Sequence, residues 1–577
     1  MISMEAATTV EDRSRKFAIC AVLLIVLLAL SKGISAYTGT HAAVYVLPPL
    51  LGLAMIVGAG ARAWSSNAIF ALLVLVIAAA ILNAVPDPTW DGNMYHKVAI
   101  VALHDGWNPW MFPNFADWTR TRNEIYYSSP VWLGNENSNW VSHYPNLSWL
   151  VGSALMDYGF GWESGKALNV LLAIALYVYA RPVVRQYVTA KWPAELVALL
   201  FVLCQPLLAQ LMTNYVDGAT YSAVSLCVLC VLDKKQSQIV NIIGWASLII
   251  LAGLKFTGAL YGALLVIPFL VRRRPSLREM AAWAVIGATV LSHPYLNHII
   301  SGLDIAYPVT AGDKVLRNQA EPKMLHESRV RALVDSLFAK TSNTFEHPGF
   351  KIPGTVHAGE VVATGVPDAR YAGFGPLFSL AWLVGIAALA AAFVAKWLSS
   401  GRDGPNLPLL SGGWAFLLIL ALVHAAPWWA RYVPFLFLGL ILCLMAAFQS
   451  SWRVVRACAA AGSSVLLLNG ILVIWGTGLY VRDHSILQGT AVDRNIVRQY
   501  GRHDRLVIRA PQFVAFSVLY HMQTLNIPVA EYQPASLDAL ACVNGQELGN
   551  WIALTRICRM SGPWENPSLP KAARPLP

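Results

Sequence analysis

Long apolar runs separated by short polar segments dominate this chain of 577 residues. A helix needs roughly 20 apolar residues to cross the hydrocarbon core of a bilayer, and about thirteen runs approach or reach that length. They lie near residues 17–36, 43–60, 67–85, 165–183, 193–212, 217–232, 237–254, 256–271, 279–299, 375–396, 407–425, 431–448 and 457–480. The pattern predicts an all-α polytopic membrane protein, and an odd number of spans would place its two ends on opposite sides of the membrane.

Composition and charge favour the same class. Hydrophobic residues make up 56% of the chain and charged residues 13%, against roughly 45–50% and about 25% in soluble domains. The basic residues occur in short clusters between apolar runs, which is typical of cytoplasmic loops and unlike the continuous basic face of a nucleic-acid-binding protein. We therefore expect no nucleic-acid partner and a cytoplasmic N-terminus. No small-residue cleavage site follows the first apolar run, so we expect a retained helix.

Three polar stretches, 86–164, 300–374 and 481–577, fall on the side opposite to the basic clusters. They divide the chain into N-terminal helices (1–85), a first long loop (86–164), a helical module (165–299), a second long loop (300–374), C-terminal helices (375–480) and a tail (481–577). The tail alternates a strand pattern at 505–510, a helix pattern at 512–525 and a strand pattern at 527–532, which predicts a small α/β unit. No glycine-rich phosphate loop follows its first strand, so nothing there supports nucleotide binding.

The stretch Leu147–Phe160 is apolar but too short to span a bilayer. We expect it to be a helix lying in the membrane interface, with Trp149 as its anchor.

The cysteines differ by position. Cys542 and Cys558 are the only two in the tail, and in an oxidising outer compartment we expect a disulfide between them. Cys227 and Cys230 have the spacing of a redox or zinc motif, but they lie inside an apolar run without a second pair nearby. We interpret them as packing residues.

The candidate chemistry begins at Asp91, directly after an apolar run. Ionisable groups at membrane depth are costly enough to suggest function, and an exposed carboxylate there could act as a general base. Asp91 could equally cap a helix running from Gly92 to His104, and capping would not exclude chemistry. His96 and His104 would then lie on different faces, so we predict no metal site from them.

Three more charged residues stand where apolar runs end: Asp217, Lys255 and Arg431. If their helix ends converge, the two cations could hold a phosphate, Arg431 in a bidentate manner. The alternative is that these charges only pair with each other or extend toward water.

Several short motifs occur in a fixed order along the first 310 or so residues. They are Trp90-Asp91 with Tyr95-His96, Gly106–Pro109, His143-Tyr144-Pro145, Tyr215-Val216-Asp217, Gly253-Leu254-Lys255, Tyr295-Leu296-Asn297 and Tyr307-Pro308. In this order they resemble the polytopic glycosyltransferases of the C-type (GT-C) fold, in particular the bacterial relatives of protein mannosyltransferases and lipid A aminoarabinose transferases. Arg431–Pro434 resembles a later helix end of the same family.

The resemblance implies a transferase that moves a sugar from a polyprenyl phosphate donor to a glycan, lipid or protein acceptor in the cell envelope. It implies location in the bacterial cytoplasmic membrane, with the tail in the periplasm, and Asp91 as general base. We expect Tyr95, His96, His143 and Tyr144 to shape the substrate site, and Asp217 to bind acceptor or balance Lys255. The chain departs from the family in having two extra helices before the first loop and Gly92, not a second acid, after Asp91.

Two other classes stay open at this point. One is a transporter or flippase for a lipid-linked sugar, which would show broken helices in two matching halves. The other is a non-catalytic subunit of a polysaccharide assembly complex. No cofactor is predicted, a requirement for a divalent cation stays open, and neither the sugar nor the acceptor is identified.

Overall fold

The computed structural model describes residues 2–40, 62–121, 135–307, 326–344, 349–399, 404–489, 505–511, 514–525, 531–535, 546–549 and 555–560, with single residues 45, 324, 346, 527, 529 and 542. Most of them are helical. The helices are α1 (Ile2–Thr38), α2 (Arg62–Asn83), α3 (Lys97–His104), α4 (Phe115–Arg120), α5 (Asn135–His143), α6 (Leu147–Asp157), α7 (Ala167–Val184), α8 (Lys191–Leu200), α9 (Gln205–Gln210), α10 (Asp217–Leu232), α11 (Gln238–Leu254), α12 (Phe256–Arg273), α13 (Leu277–Val290), α14 (Asn297–Ile300), α15 (Arg329–Leu337), α16 (Ala358–Thr364), α17 (Phe378–Leu398), α18 (Leu407–Val423), α19 (Phe435–Phe448), α20 (Arg453–Tyr480) and α21 (Ala515–Thr524).

Within the described residues, six helical segments are long and apolar enough to cross a membrane. They are Glu11–Thr38, Ser66–Asn83, Trp162–Val184, Phe256–Arg273, Phe378–Leu398 and Arg453–Leu487. The shorter helices α10, α11, α18 and α19 are also apolar. These segments support a helical membrane protein, whereas the count of thirteen spans stays a prediction. The span expected at 43–60 lies almost wholly outside the described residues.

Two expected spans are not continuous helices. The run 193–212 forms α8 and α9 with a non-helical break between them. Pro206 stands in the first turn of α9, where a backbone N–H would have no partner within the helix. In the middle of one continuous helix the same proline would remove a hydrogen bond and clash with the preceding turn, so the run divides here. The run 279–299 ends its α-helix at Val290 and continues as a π turn, Ser292–Leu296, in which His293 leaves helical geometry before Pro294.

The helices pack into one extended apolar core. Helix α1 lies against α2, α6, α7 and α11, while α17 packs on α19 and α20. A buried ion pair fastens the first part of α1, since Arg15 Nε lies 3.0 Å from Asp233 Oδ2 at the end of α10. Burying a charge requires such a partner, so this contact fixes how α1 sits against α10.

Helix α6 corrects the expectation of an interfacial helix. Its residues from Leu147 to Met156 are all buried. Trp149 is fully enclosed and donates from Nε1 to His96 Nδ1 at 2.7 Å. It therefore does not anchor a helix in the interface. Instead, the Trp149 ring packs in the core and its N–H is paired, as is usual for a buried tryptophan.

The tail forms a small four-stranded sheet with strands β1 (Arg505–Ala510), β2 (Glu531–Pro534), β3 (Gln546–Gly549) and β4 (Arg556–Met560) in the order β2-β1-β4-β3. Strand β1 pairs parallel with β2 and antiparallel with β4. Helix α21 connects β1 and β2, as an α/β crossover requires. The second strand begins four residues later than predicted. Cys542 and Cys558 form a disulfide within this unit, while Cys227 and Cys230 are buried free thiols in α10.

Candidate functional site

Arg431 lies at the centre of a cluster of charged and aromatic side chains. Its Nη1 is 3.3 Å from Asp91 Oδ2 and 3.1 Å from Asp368 Oδ1, and only 7% of the side chain is exposed. Its guanidinium also lies over three aromatic rings, those of Tyr215, Trp429 and Tyr432, at 4.7–5.1 Å from their centroids. Two carboxylates and three ring faces thus hold the guanidinium in one orientation.

A second ion pair adjoins the first. Lys255 Nζ lies 2.5 Å from Asp217 Oδ1, and Gln210 Nε2 donates to Asp217 Oδ2 at 3.2 Å. Lys255 also lies 4.2 Å from the centroid of the Tyr432 ring, the same ring that contacts Arg431. The convergence expected for the three charged helix ends is therefore present. The fourth member, Asp91, joins them through Arg431.

The helical geometry is interrupted at Lys255. This residue is extended, with φ −162° and ψ 150°, between the end of α11 and the start of α12. Its side chain is 13% exposed, against 3% for Asp217. The interruption places the Lys255 ammonium at the junction of α11 and α12, while the partner carboxylate of Asp217 stays buried.

Asp368 is a member of the site that sequence reasoning missed. It lies within the second long loop and neither ends nor interrupts one of the long apolar runs, so no such pattern marks it. Burial raises the pKa of its carboxyl to about 6, and Arg431 partly offsets that rise. Asp368 is thus a second carboxylate beside Asp91, supplied by a segment far along the chain.

Asp91 does not cap a helix. It already has helical backbone angles, φ −59° and ψ −36°, and its side chain accepts no capping hydrogen bond. The residue that supports the turn is Asp87, whose Oδ1 accepts from the N–H and the hydroxyl of Thr89 and whose Oδ2 accepts from the N–H and the side-chain amide of Asn214. Because Asp87 takes over the local hydrogen bonds, the Asp91 carboxylate is free to face Arg431.

A buried ionic network lies beneath this turn. Lys97 Nζ and Lys166 Nζ lie 2.9 Å and 2.8 Å from the two oxygens of Glu163, and all three side chains are buried. Lys97 also reaches the backbone oxygen of Asp87 at 3.5 Å. The two ammonium groups share the Glu163 carboxylate, and the backbone oxygen of Asp87 also accepts from Lys97. Breaking a buried group of this kind is strongly destabilising, which fixes the position of the turn.

Gly92 is closely surrounded by the side chains that support the turn. A Cβ on this residue would lie 2.2 Å from Asp87 Oδ2 and 2.6 Å from the Thr89 hydroxyl. A side chain at 92 would therefore collide with the carboxylate that supports the turn. A second acid directly after Asp91 does not fit here, and Asp368 brings one from elsewhere.

An aromatic group adjoins the turn on its other side. Tyr95 packs on Tyr144 at 5.3 Å and stacks on Trp140 at 5.8 Å between ring centroids. His96 is buried beside them, and burial lowers its pKa to about 3. It is therefore neutral near pH 7, with Nδ1 accepting from Trp149. The structure brings Tyr95, His96 and Tyr144 together as predicted residues around the Asp91 turn.

His143 contacts a different group of side chains. Its Nδ1 lies 3.0 Å from His298 Nε2, and its ring centroid lies 4.8 Å from that of Tyr307. Burial lowers the pKa of His143 to about 4, with a further contribution from His298. No set of three or more histidine, cysteine or acidic residues within the described ranges has the arrangement to hold a metal ion.

The arrangement can hold an anion and accept a proton at neighbouring positions. Arg431 and Lys255 supply the cations, and Asp91, 19% exposed, supplies an accessible carboxylate. Comparison with family models, curated proteins and solved structures finds no match to this chain.

Proposed function

We propose that this chain is a membrane glycosyltransferase that moves a sugar from a polyprenyl phosphate to an acceptor hydroxyl. The observation that carries the proposal is the contact between Asp91 and Arg431, which brings a base and a phosphate-binding group together from positions 340 residues apart. Lys255 approaches the same Tyr432 ring as Arg431, so a phosphate on the guanidinium would lie near a second cation.

The proposed reaction uses these groups in two roles. Asp91 takes the proton of the acceptor hydroxyl as its oxygen bonds to the anomeric carbon of the sugar. The bond between that carbon and the phosphate oxygen breaks, and the polyprenyl phosphate leaves with the electron pair. Arg431 and Lys255 stabilise the charge that develops on the phosphate.

The contacts of Arg431 suggest an order of events. Both carboxylates on Arg431 contact the same nitrogen, Nη1. A donor phosphate that binds the guanidinium would compete with these contacts. Its arrival would loosen Asp91 from Arg431 and make the carboxylate available to the acceptor.

The remaining features of this proposal follow from the family resemblance. They are the GT-C fold, about thirteen spans, a cytoplasmic N-terminus, and placement of the site and tail on the periplasmic side of a bacterial cytoplasmic membrane. Partners in this scheme are the lipid-linked donor, an envelope glycan, lipid or protein, and the membrane lipids.

The test is replacement of Asp91 by asparagine. Full-length protein in lipid nanodiscs is incubated with synthetic polyprenyl phosphates carrying different hexoses and pentoses and with an envelope extract as acceptor. Released polyprenyl phosphate is measured by mass spectrometry. We expect Asp91→Asn to reduce release by about 10²–10⁴-fold, the usual contribution of a general base.

Asp117→Asn is the matched control, because Asp117 also pairs with an arginine but is largely exposed and belongs to a separate contact. It should leave release unchanged. Full activity of Asp91→Asn would remove Asp91 from the mechanism. Movement of labelled donor across sealed vesicles without any release of polyprenyl phosphate would favour a transporter instead.

A further inference from the structure

The tail helix α21 contacts the Asp91 turn directly. Ser517 is buried, and its hydroxyl donates to the backbone oxygen of Asn93 at 2.9 Å. These two residues are 424 positions apart. The tail therefore takes part in the local structure of the turn that carries Asp91.

The acceptor in this contact has a special place in the helix. Residues Gly92–His96 form a π turn, in which Lys97 N–H bonds to the Gly92 oxygen. The α-helical pattern resumes at Lys97. Where a ladder changes from five-residue to four-residue spacing, one carbonyl loses its usual amide partner, and such π turns are frequent at functional sites. The Asn93 oxygen follows that of Gly92, and Ser517 donates to it.

Asn93 also ties the preceding turn together. Its side-chain amide donates to the backbone oxygens of Asp87 at 2.9 Å and Thr89 at 2.6 Å. A shift of Asn93 would thus move the turn on both sides of Asp91.

A second contact joins the tail to the network beneath the turn. The Tyr520 ring lies 4.9 Å from that of Trp162, centroid to centroid. Trp162 also contacts Lys97, whose Nζ lies 4.4 Å from the centroid of the indole ring. Tyr520 is one helical turn after Ser517, so both residues lie on the same face of α21. That face contacts the Asp91 turn through Ser517 and Trp162, a neighbour of Lys97, through Tyr520.

We propose that Ser517 is a positioning residue for the Asp91 carboxylate, and that docking of the tail completes the site. This inference rests on the proposed function. The hydroxyl of Ser517 holds Asn93, and Asn93 holds the backbone on either side of Asp91. Loss of the contact should therefore impair the catalytic step and leave donor binding to Arg431 and Lys255 unchanged.

The test compares Ser517→Ala with Gln523→Ala, an exposed position on the same helix, in the full-length chain in nanodiscs. A lost hydrogen bond to a buried carbonyl corresponds to about a tenfold change in a local equilibrium. We expect amide hydrogen exchange in residues 92–97 to become about tenfold faster in Ser517→Ala. We expect kcat for polyprenyl phosphate release to fall by a similar factor with the donor KM unchanged, and Gln523→Ala to match the wild type.

The two readouts separate the possible failures. Unchanged exchange in residues 92–97 would refute the contact as a positioning device. A rise in donor KM with constant kcat would refute the assignment to the catalytic step. Faster exchange in a chain whose wild type releases no polyprenyl phosphate from any donor would refute the proposed function, and with it the catalytic role of Ser517.

Discussion

Gly92→Ala tests the support of the Asp91 turn most directly. The added Cβ would meet Asp87 Oδ2 at 2.2 Å and Asp87 Cγ at 2.8 Å, well inside van der Waals contact. The end of a flexible side chain could move aside, but this carboxylate accepts hydrogen bonds from Thr89 and Asn214 and is fully buried. The methyl group and the carboxylate therefore cannot both keep their places.

The size of the effect follows from these contacts. Overpacking of a buried site costs about 1–3 kcal/mol. Displacing Asp87 would also weaken its hydrogen bonds, and each one to a charged group contributes about 1.5–3 kcal/mol. We expect Gly92→Ala to lower the free energy of unfolding by about 3–5 kcal/mol.

The assay is heating of the full-length chain in detergent, with the soluble fraction measured at each temperature. Gly92→Ala should lose half its soluble fraction several degrees below the wild type. Gly359→Ala is the control, because no atom lies within 4 Å of its added Cβ. It should behave as the wild type does.

A second background isolates the cause. Asp87→Ala removes Oδ2 and Cγ, the closest and third-closest atoms to the added Cβ, and keeps the Thr89 hydroxyl at 2.6 Å. Residues in contact show non-additive effects, so Gly92→Ala should cost much less in the Asp87→Ala chain. An equal loss of stability in both backgrounds would refute the explanation by collision with Asp87.

Three further outcomes are expected. Asp217→Asn leaves the Lys255 ammonium without its partner and should destabilise the chain by about 3–5 kcal/mol, and the double variant Asp217→Asn/Lys255→Gln should recover part of that loss in the same heating assay. The raised pKa of Asp368, about 6, means that this carboxyl is charged above pH 6 and neutral below it. Protonation of Asp368 removes a negative charge beside the Arg431 guanidinium, so the donor KM should fall as pH drops through 6, and a wild-type pH profile in Asp368→Asn would contradict this. Cys542→Ser/Cys558→Ser opens a loop with a sequence separation of 16 and should destabilise the tail by about 3 kcal/mol; tail proteolysis at the wild-type rate would count against it.

The sequence predicts the long helices well because their apolar runs are uninterrupted. Helices α2, α17 and α20 lie close to the expected spans. The run 193–212 is equally apolar, but Pro206 and the residues before it divide the run into two short helices. Hydropathy records burial and not backbone continuity, so it missed this break.

Some residues of the site can be predicted from the sequence and others cannot. Asp91, Lys255 and Arg431 are visible in the sequence because each interrupts or ends an apolar run. Asp368 lies within a long loop and does not end or interrupt such a run, and only the folded chain brings it to Arg431. The contact of Ser517 with Asn93 has no sequence signal either, since a buried serine in a tail helix looks like any other small residue. The sequence does not predict the burial of Trp149 either, because an aromatic residue in a short apolar run suits an interface and a core equally well.

The spread of the ionic cluster along the chain has a consequence for biosynthesis. Lys255 and Asp217 are separated by 38 residues on successive helices, so they can neutralise each other as soon as that hairpin has left the ribosome. Asp91 meets Arg431 only after 340 more residues have been made. Until then its carboxylate has to stay hydrated or be shielded by an insertion factor, so a chain stopped before residue 431 would be a natural target for quality-control proteases.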